Sequence, residues 1–260
     1  RVLFRSGMLC SGTELNATDD GDGILLLGAK APIGVPLVDW IGDDVIDVDV
    51  KPNRGDLLSV LGLAREVAAI TGAPLRSTAR SLTESGAKVS EGLALEVSDE
   101  NLAPRVVLRV VEGVTVAPSP DAVQMRLKAA VLRSVSNVVD ATNYIMLELG
   151  KPTHAFDRSA VGATLSIRVA KPGERLETLD HVSRALDPAD LVVADERGAL
   201  ALAGVMGGAS SEVSASTHSV IIESAIFAPS TVRRSAQRHS LRSEASHRFE
   251  RGLEIGRAHV

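Results

Sequence analysis

The sequence predicts an α+β fold. Apolar residues at helical spacing and short alternating strand-like runs are mixed along the chain without a regular β-α alternation. No internal repeat is present. Over 260 residues, 45% are hydrophobic and 23% charged, the balance of a globular chain with a real core. No apolar run approaches the roughly 18 residues of a membrane span. The single Cys10 cannot form an intrachain bridge and fits a reducing compartment. With 28 basic against 33 acidic residues the net charge is −5, so no global basic field advertises nucleic-acid binding and any RNA contact must be local. Aromatics are 2% of the chain, which disfavours a surface that stacks the bases of a single strand.

Taken in order, residues 1–6 and 255–260 read as translations of opposite strands of one oligonucleotide and resemble adapter DNA. They are expected to be foreign, leaving a native segment of about residues 7–253, cut at both ends. Residues 7–38 are rich in Gly and Asp, and DDGDG at 19–23 suggests a turn between short strands. The Asp spacing is not that of a calcium loop. Residues 45–50 alternate like a strand, and PNRGD at 52–56 turns the chain. Asp56 is expected to cap a helix carrying Leu57, Leu61, Ala64 and Ala68, stopped by Gly72 and Pro74. The Arg54-Gly55-Asp56 tripeptide is read as turn and cap chemistry rather than an adhesion motif. Residues 77–92, rich in Ser, Thr, Ala and Gly, are the linker candidate, with a boundary between 76 and 99.

Residues 105–114 then read as a strand. Ser119-Pro120 offers an N-cap followed by proline at the first helical position, for a helix to about Leu132. A second helix is expected over 137–149, with Val138, Thr142, Ile145 and Leu149 on one face and Gly150 and Pro152 ending it. Strands are expected at 165–170, 191–195, 199–205 and 220–227, and a last helix at 230–239.

Four features could carry chemistry. His154, in PTHAFD just past a helix end, can face a cleft, although a lone histidine is more often structural. The run 203–208, AGVMGG, follows a strand and can bring backbone N–H groups to a ligand or simply make a tight turn. Glu223 shares a strand face with Ile221, Ala225 and Phe227. A carboxylate on an apolar face is paired or serves a pocket, and the two readings weigh equally here. Finally, Arg233, Arg234, Arg238, Arg242, Arg248 and Arg251 crowd residues 231–252, either to meet phosphates or as a solvated face with a Glu244–Arg248 pair. No nucleophile triad and no zinc-hydrolase spacing is present, so no metal ligands are assigned.

Together these stretches resemble the β subunit of bacterial phenylalanyl-tRNA synthetases: GMLCSGTEL, VKPNRGDLLSVLGLAREVAAITG, APSP, NVVDATNYIMLELGKPTHAFD, LAGVMGG, IIESAIF and SEASHRFERG. Ala122 and Val131 stand where that family usually has Trp and Gly, and Val106 where it often has Tyr. The resemblance implies that residues 7–38 end a tRNA-binding OB-fold β-barrel. It makes 39–76 part of a small N-terminal α/β segment, 77–100 a linker, and 101–254 a C-terminally truncated α+β editing module of B3/B4 type. It further implies ATP-dependent charging of tRNA(Phe) by a cytoplasmic α2β2 heterotetramer. The synthetic site lies in the α subunit, ATP and Mg2+ serve the whole enzyme, and no cofactor, metal or membrane is held by this segment.

Editing in that family hydrolyses Tyr-tRNA made in error. An apolar pocket built for Phe rejects an added hydroxyl poorly, whereas a pocket that bonds the hydroxyl rejects the analogue lacking it. By the resemblance Glu223 receives the tyrosine hydroxyl and Gly207 lines that end of the pocket, with Gly204 in the same run. His154, Thr142 and Asn143 surround the amino acid and terminal adenosine, His154 positioning the substrate or relaying a proton, and Ser243 and Ala245 form the wall that sets pocket size. Water attacks the ester with help from the tRNA's terminal hydroxyl. Two rivals are a free-standing trans-editing hydrolase and a structural, tRNA-docking module whose editing has decayed.

Overall fold

A computed structural model describes residues 9–17, 21–29, 31–76 and 82–252. The two terminal hexamers and residues 77–81 of the linker candidate lie outside these. The chain divides into two compact units, one formed by residues 1–48 and 118–135, the other by 49–117 and 136–260. The boundary thus does not follow the sequence in one pass: the PNRGD segment belongs to the larger unit.

The smaller unit holds helix α1 (Leu37–Ile41) and, from its later stretch, α3 (Asp121–Ala129). Among its described residues no strand forms, so the short strands expected about residues 19–23 are not seen. Ser119 does not cap α3; Pro120 occupies the capping position in an extended conformation and offers no side-chain acceptor. The helix also stops short of Leu132, because Val131 takes a left-handed backbone with φ of 59°.

Residues 45–50, which cross from the smaller unit into the larger after Val48, run as irregular chain where a strand was expected, the part beyond Val48 leading directly into the PNRGD turn. Asp56 does not cap the next helix. Residues Gly55–Leu57 make a single 3-10 turn, and helix α2 (Val60–Thr71) begins only after Ser59, whose Oγ accepts from the Gly62 N–H at 3.0 Å. Asp56 is taken instead by Arg54, whose Nε and Nη2 donate to its carboxylate at 3.0 and 2.8 Å while Nη2 also reaches Glu66 at 2.8 Å. The Arg-Gly-Asp tripeptide is therefore closed on itself. Gly72 ends α2 in the left-handed region, as expected.

Helix α4 (Asn137–Leu149) has the expected bounds, with Ser136 capping it and Gly150 at φ 76° ending it. Two sheets follow. One has strands β2 (Arg105–Glu112), β3 (His154–Asp157) and β10 (Ser219–Ile226), antiparallel in the order β2-β10-β3. The other has β1 (Ala94–Val97), β4 (Thr164–Val169), β7 (Leu191–Ala194), β8 (Ala199–Leu202) and β9 (Met206–Gly207) in the order β1-β4-β7-β8-β9. Only β1 and β4 pair in parallel; the other pairings in this sheet are antiparallel. A hairpin of β5 (Arg175–Glu177) and β6 (Ser183–Ala185) pairs separately and is bridged to the end of β9 through Thr178 and Gly208.

The core collects the inward faces of both sheets, with Phe156, Leu165, Ile167, Val192, Val193, Leu202 and Ile221 fully buried. β7 is buried along its whole length, which explains its unbroken Leu-Val-Val-Ala run. The strand expected through residue 205 ends at Leu202 because Gly204, at φ 70°, turns the chain towards β9. Helix α5 (Pro229–Arg238) is pinned by Asp190, which is 0% exposed and accepts from Ser235 Oγ at 2.7 Å, from His239 Nε2 at 2.7 Å and from Arg238. Burial pushes that carboxyl up, but the bonds from His239, the Asp187 N–H and Ser235 outweigh it and leave Asp190 below its ordinary range.

Helix α6 (Glu244–Phe249), which the sequence reading missed, starts on a reciprocal Ser243–Ser246 capping box. Its buried Arg248 pairs with Glu244 at 2.6 Å and donates to the Leu58 carbonyl at 3.2 Å, tying the PNRGD segment to the module.

Candidate functional site

β10 is the middle strand of its sheet, so a residue at its centre is flanked on both sides. Glu223 stands opposite Leu108 of β2 and opposite His154 of β3. Its side chain points to the buried face with Ile221 and Ala225, as the alternation predicts. The carboxyl is 6% exposed and accepts no side-chain hydrogen bond among the described residues. Burial pushes it up to about 7, against the pull of the nearby Lys151 charge.

His154 opens β3, a strand the sequence reading took for the approach to a cleft. Its ring meets Phe156 edge-on at 4.4 Å between centroids, and burial pushes its imidazole down to about 4, so it is neutral at pH 7. A neutral imidazole can both donate and accept, which a positioning group or proton relay requires.

Gly207 in β9 faces that ring. A Cβ added there would lie 2.8 Å from His154 Nε2 and closer still to Cε1, nearer than side-chain carbons come, and a tight 3.1 Å from Leu179. The glycine is thus required by the histidine's position. Gly204 is required for another reason: besides its positive φ, a Cβ would press on Phe249, Val232 and Phe227 of the core. That direction is into packing, and Gly204 acts as a turn residue.

The remaining expected residues sit on two helices. On α4, which packs against β3, the Thr142 hydroxyl donates to the Val139 carbonyl at 2.6 Å and Asn143 is half-buried. Ser243 donates to the Val205 carbonyl at 2.7 Å, fixing the turn that delivers Gly207, and Ala245 packs on the core from the first turn of α6. The structure therefore sets His154 between Glu223, its partner across the ladder, and Gly207, on which its ring packs, and attaches Ser243 to that group through the 203–208 turn.

One residue escaped sequence reasoning. Lys151 is 4% exposed, donates to the Ala225 carbonyl and lies 5.7 Å from the Phe249 ring centroid. No local signal marked it, since a lysine just past a helix stop is ordinarily at the surface.

The late arginines divide. Arg238, Arg248 and Arg251 are paired with Asp190, Glu244 and Glu250, so they serve the fold, while Arg233, Arg234 and Arg242 are exposed. Among the described residues no group of three His, Cys, Asp or Glu side chains could hold a metal ion, and no helix is long and apolar enough to cross a membrane.

Comparison with known proteins matches residues 102–259 to the B3/4 domain family. The phenylalanine-tRNA ligase beta subunit of Anaeromyxobacter dehalogenans is 49% identical over 253 residues, covering 96% of this chain and 32% of that protein. Those of Nitratidesulfovibrio vulgaris and Moorella thermoacetica are 47% and 45% identical over 95% and 98% of this chain. The chain spans about a third of the length of these curated relatives. Among solved structures, an N-terminal fragment of the phenylalanyl-tRNA synthetase beta subunit from Pyrococcus horikoshii is similar at 16% identity and a TM-score of 0.40, covering 76% of this chain and 64% of that one.

Proposed function

Since the chain belongs to the B3/4 domain family and its curated relatives are phenylalanine-tRNA ligase beta subunits, we propose that it is the part of such a subunit that hydrolyses tRNA(Phe) mischarged with tyrosine. The observation that carries this reading is the buried Glu223 carboxyl, with no side-chain hydrogen bond among the described residues, standing opposite His154, whose ring packs on Gly207.

A buried carboxyl without a hydrogen-bond donor is costly, and the cost is relieved by a ligand that supplies one. The tyrosyl hydroxyl is such a donor. The phenyl ring of the cognate amino acid is not, and would leave the carboxyl unpaired, so discrimination favours holding the wrong product for hydrolysis. His154, neutral at pH 7, orients the ester or passes a proton. Water attacks the ester carbonyl, the tRNA ribose oxygen leaves with a proton, and free tyrosine and tRNA result. The terminal hydroxyl of the tRNA assists, which accounts for a site built without a protein nucleophile.

In this reading the whole enzyme charges tRNA(Phe) in the cytoplasm as an α2β2 assembly, with ATP and Mg2+ acting at the α subunit. The test uses the complete αβ enzyme. Glu223→Gln or Glu223→Ala should slow Tyr-tRNA hydrolysis by about 10- to 100-fold, the worth of one hydrogen bond to a charged group, while Phe-tRNA synthesis continues. His154→Ala should slow the same hydrolysis. Unchanged Tyr-tRNA clearance by the Glu223 variants would overturn the assignment.

A further inference from the structure

Residues Lys151 to His154, which connect the end of α4 to the start of β3, bring two nitrogen-bearing side chains to the part of β10 that carries Glu223. His154 ends the connection and stands opposite Glu223 across the β3–β10 ladder. Lys151 begins it, and its ammonium is buried on the backbone of β10 at Ala225, the next residue after Glu223 on the same strand face. The ammonium is fixed there by the Ala225 carbonyl on one side and the Phe249 ring on the other. Among the described residues Glu223 is the one acid whose charge it feels. The strand neighbours of Glu223 are uncharged: Leu108 on β2, and on β3 the His154 imidazole, which is neutral at pH 7.

A buried ammonium without a counter-charge is strongly disfavoured, and an ionised Glu223, the one acid whose charge it feels among the described residues, supplies that counter-charge. We propose that Lys151 is a positioning residue for editing, holding Glu223 as the carboxylate that accepts the tyrosyl hydroxyl. The proposal rests on the editing function assigned above. Burial takes Lys151 down to about 8, so it keeps its proton at neutral pH, while Glu223, at about 7, is poised where a lost counter-charge changes its state.

The experiment measures Tyr-tRNA hydrolysis by the complete αβ enzyme from pH 6 to 8.5. Lys151→Gln keeps a donor for the Ala225 carbonyl and removes the charge, Lys151→Met removes both, and Lys151→Arg keeps the charge. An opposite charge at close range moves a pKa by about 1–3 units, so in both uncharged variants the acid limb should move up by about one pH unit. Hydrolysis below the midpoint then falls roughly tenfold, and Lys151→Arg recovers most of it. Adding Lys151→Gln to Glu223→Gln should move nothing further. A wild-type profile in Lys151→Gln, a shift seen with Met but not Gln, or the same shift on the Glu223→Gln background overturns the proposal while the editing function stands. A Glu223→Gln enzyme that clears Tyr-tRNA normally overturns both.

Discussion

At the scale of single residues, backbone conformation and side-chain type disagree at Val131. A β-branched residue with φ of 59° sets its side chain against its own carbonyl, and Val131 is 92% exposed, so no packing compensates. Val131→Gly should raise stability by about 1 kcal/mol, read as a higher urea midpoint with an unchanged slope. A lower midpoint would show that the strain is absorbed elsewhere. The sequence already marked this position as unlike the related family, but a residue type does not reveal φ, and the strain became visible only in the backbone. Glu223 is the opposite case. Period-two alternation put it on the buried face, and the structure agrees, because a strand offers only two faces. Whether it was paired or served a pocket could not be read locally, since its neighbours Lys151 and His154 come from another part of the chain.

At the scale of elements, legibility followed the caps. α4 was readable to the residue because Ser136 and Gly150 satisfy its free N–H and carbonyl groups from within the local sequence. α2 was misread at its start: Arg54 claims Asp56, the expected cap, and Ser59, three residues on, caps the helix instead. β1, β3, β5, β6 and β9 were missed, being two to four residues long and too short for a period to register. α5 was found from its sequence, but its anchor was not. Asp190 satisfies Ser235, Arg238 and His239 together from the segment before β7. Asp190→Ala would strand those three donors and should cost about 3–5 kcal/mol, in the manner of a broken buried ion pair. Asp190→Asn, which still accepts, should cost less; equal urea midpoints for the two variants would show that charge, not acceptance, holds α5.

For the whole molecule, the buried site makes stability depend on pH from both sides. Glu223 in the folded chain titrates near 7 against an ordinary 4.5, so its contribution is fully present below 4.5 and is lost as pH rises through 7. His154 has the reverse sign: shifted from 6.5 to about 4, it supports the fold above 6.5 and withdraws that support as pH falls towards 4. Glu223→Gln removes the first of these, so relative to the native chain it should gain about 3 kcal/mol between pH 4 and pH 8. Urea unfolding across that range checks this, and parallel curves for the two proteins would show that Glu223 keeps an ordinary pKa. The overall α+β architecture was legible because mixed periodicities survive anywhere along the chain. The interleaving of the two compact units was not, because residues 118–135 leave and re-enter the larger unit without any compositional mark.

The central place of β10 between β2 and β3 also sets a schedule for synthesis. A chain made from its N-terminus presents β2 and then β3 long before residues 219–226 exist, so both wait with open hydrogen-bonding edges. When β10 arrives it closes the two edges in one insertion, across loops of roughly a hundred residues or less whose closure cost grows only slowly with length. The strand that completes the sheet is also the one that carries Glu223, so no nascent chain that ends before β10 can present the site.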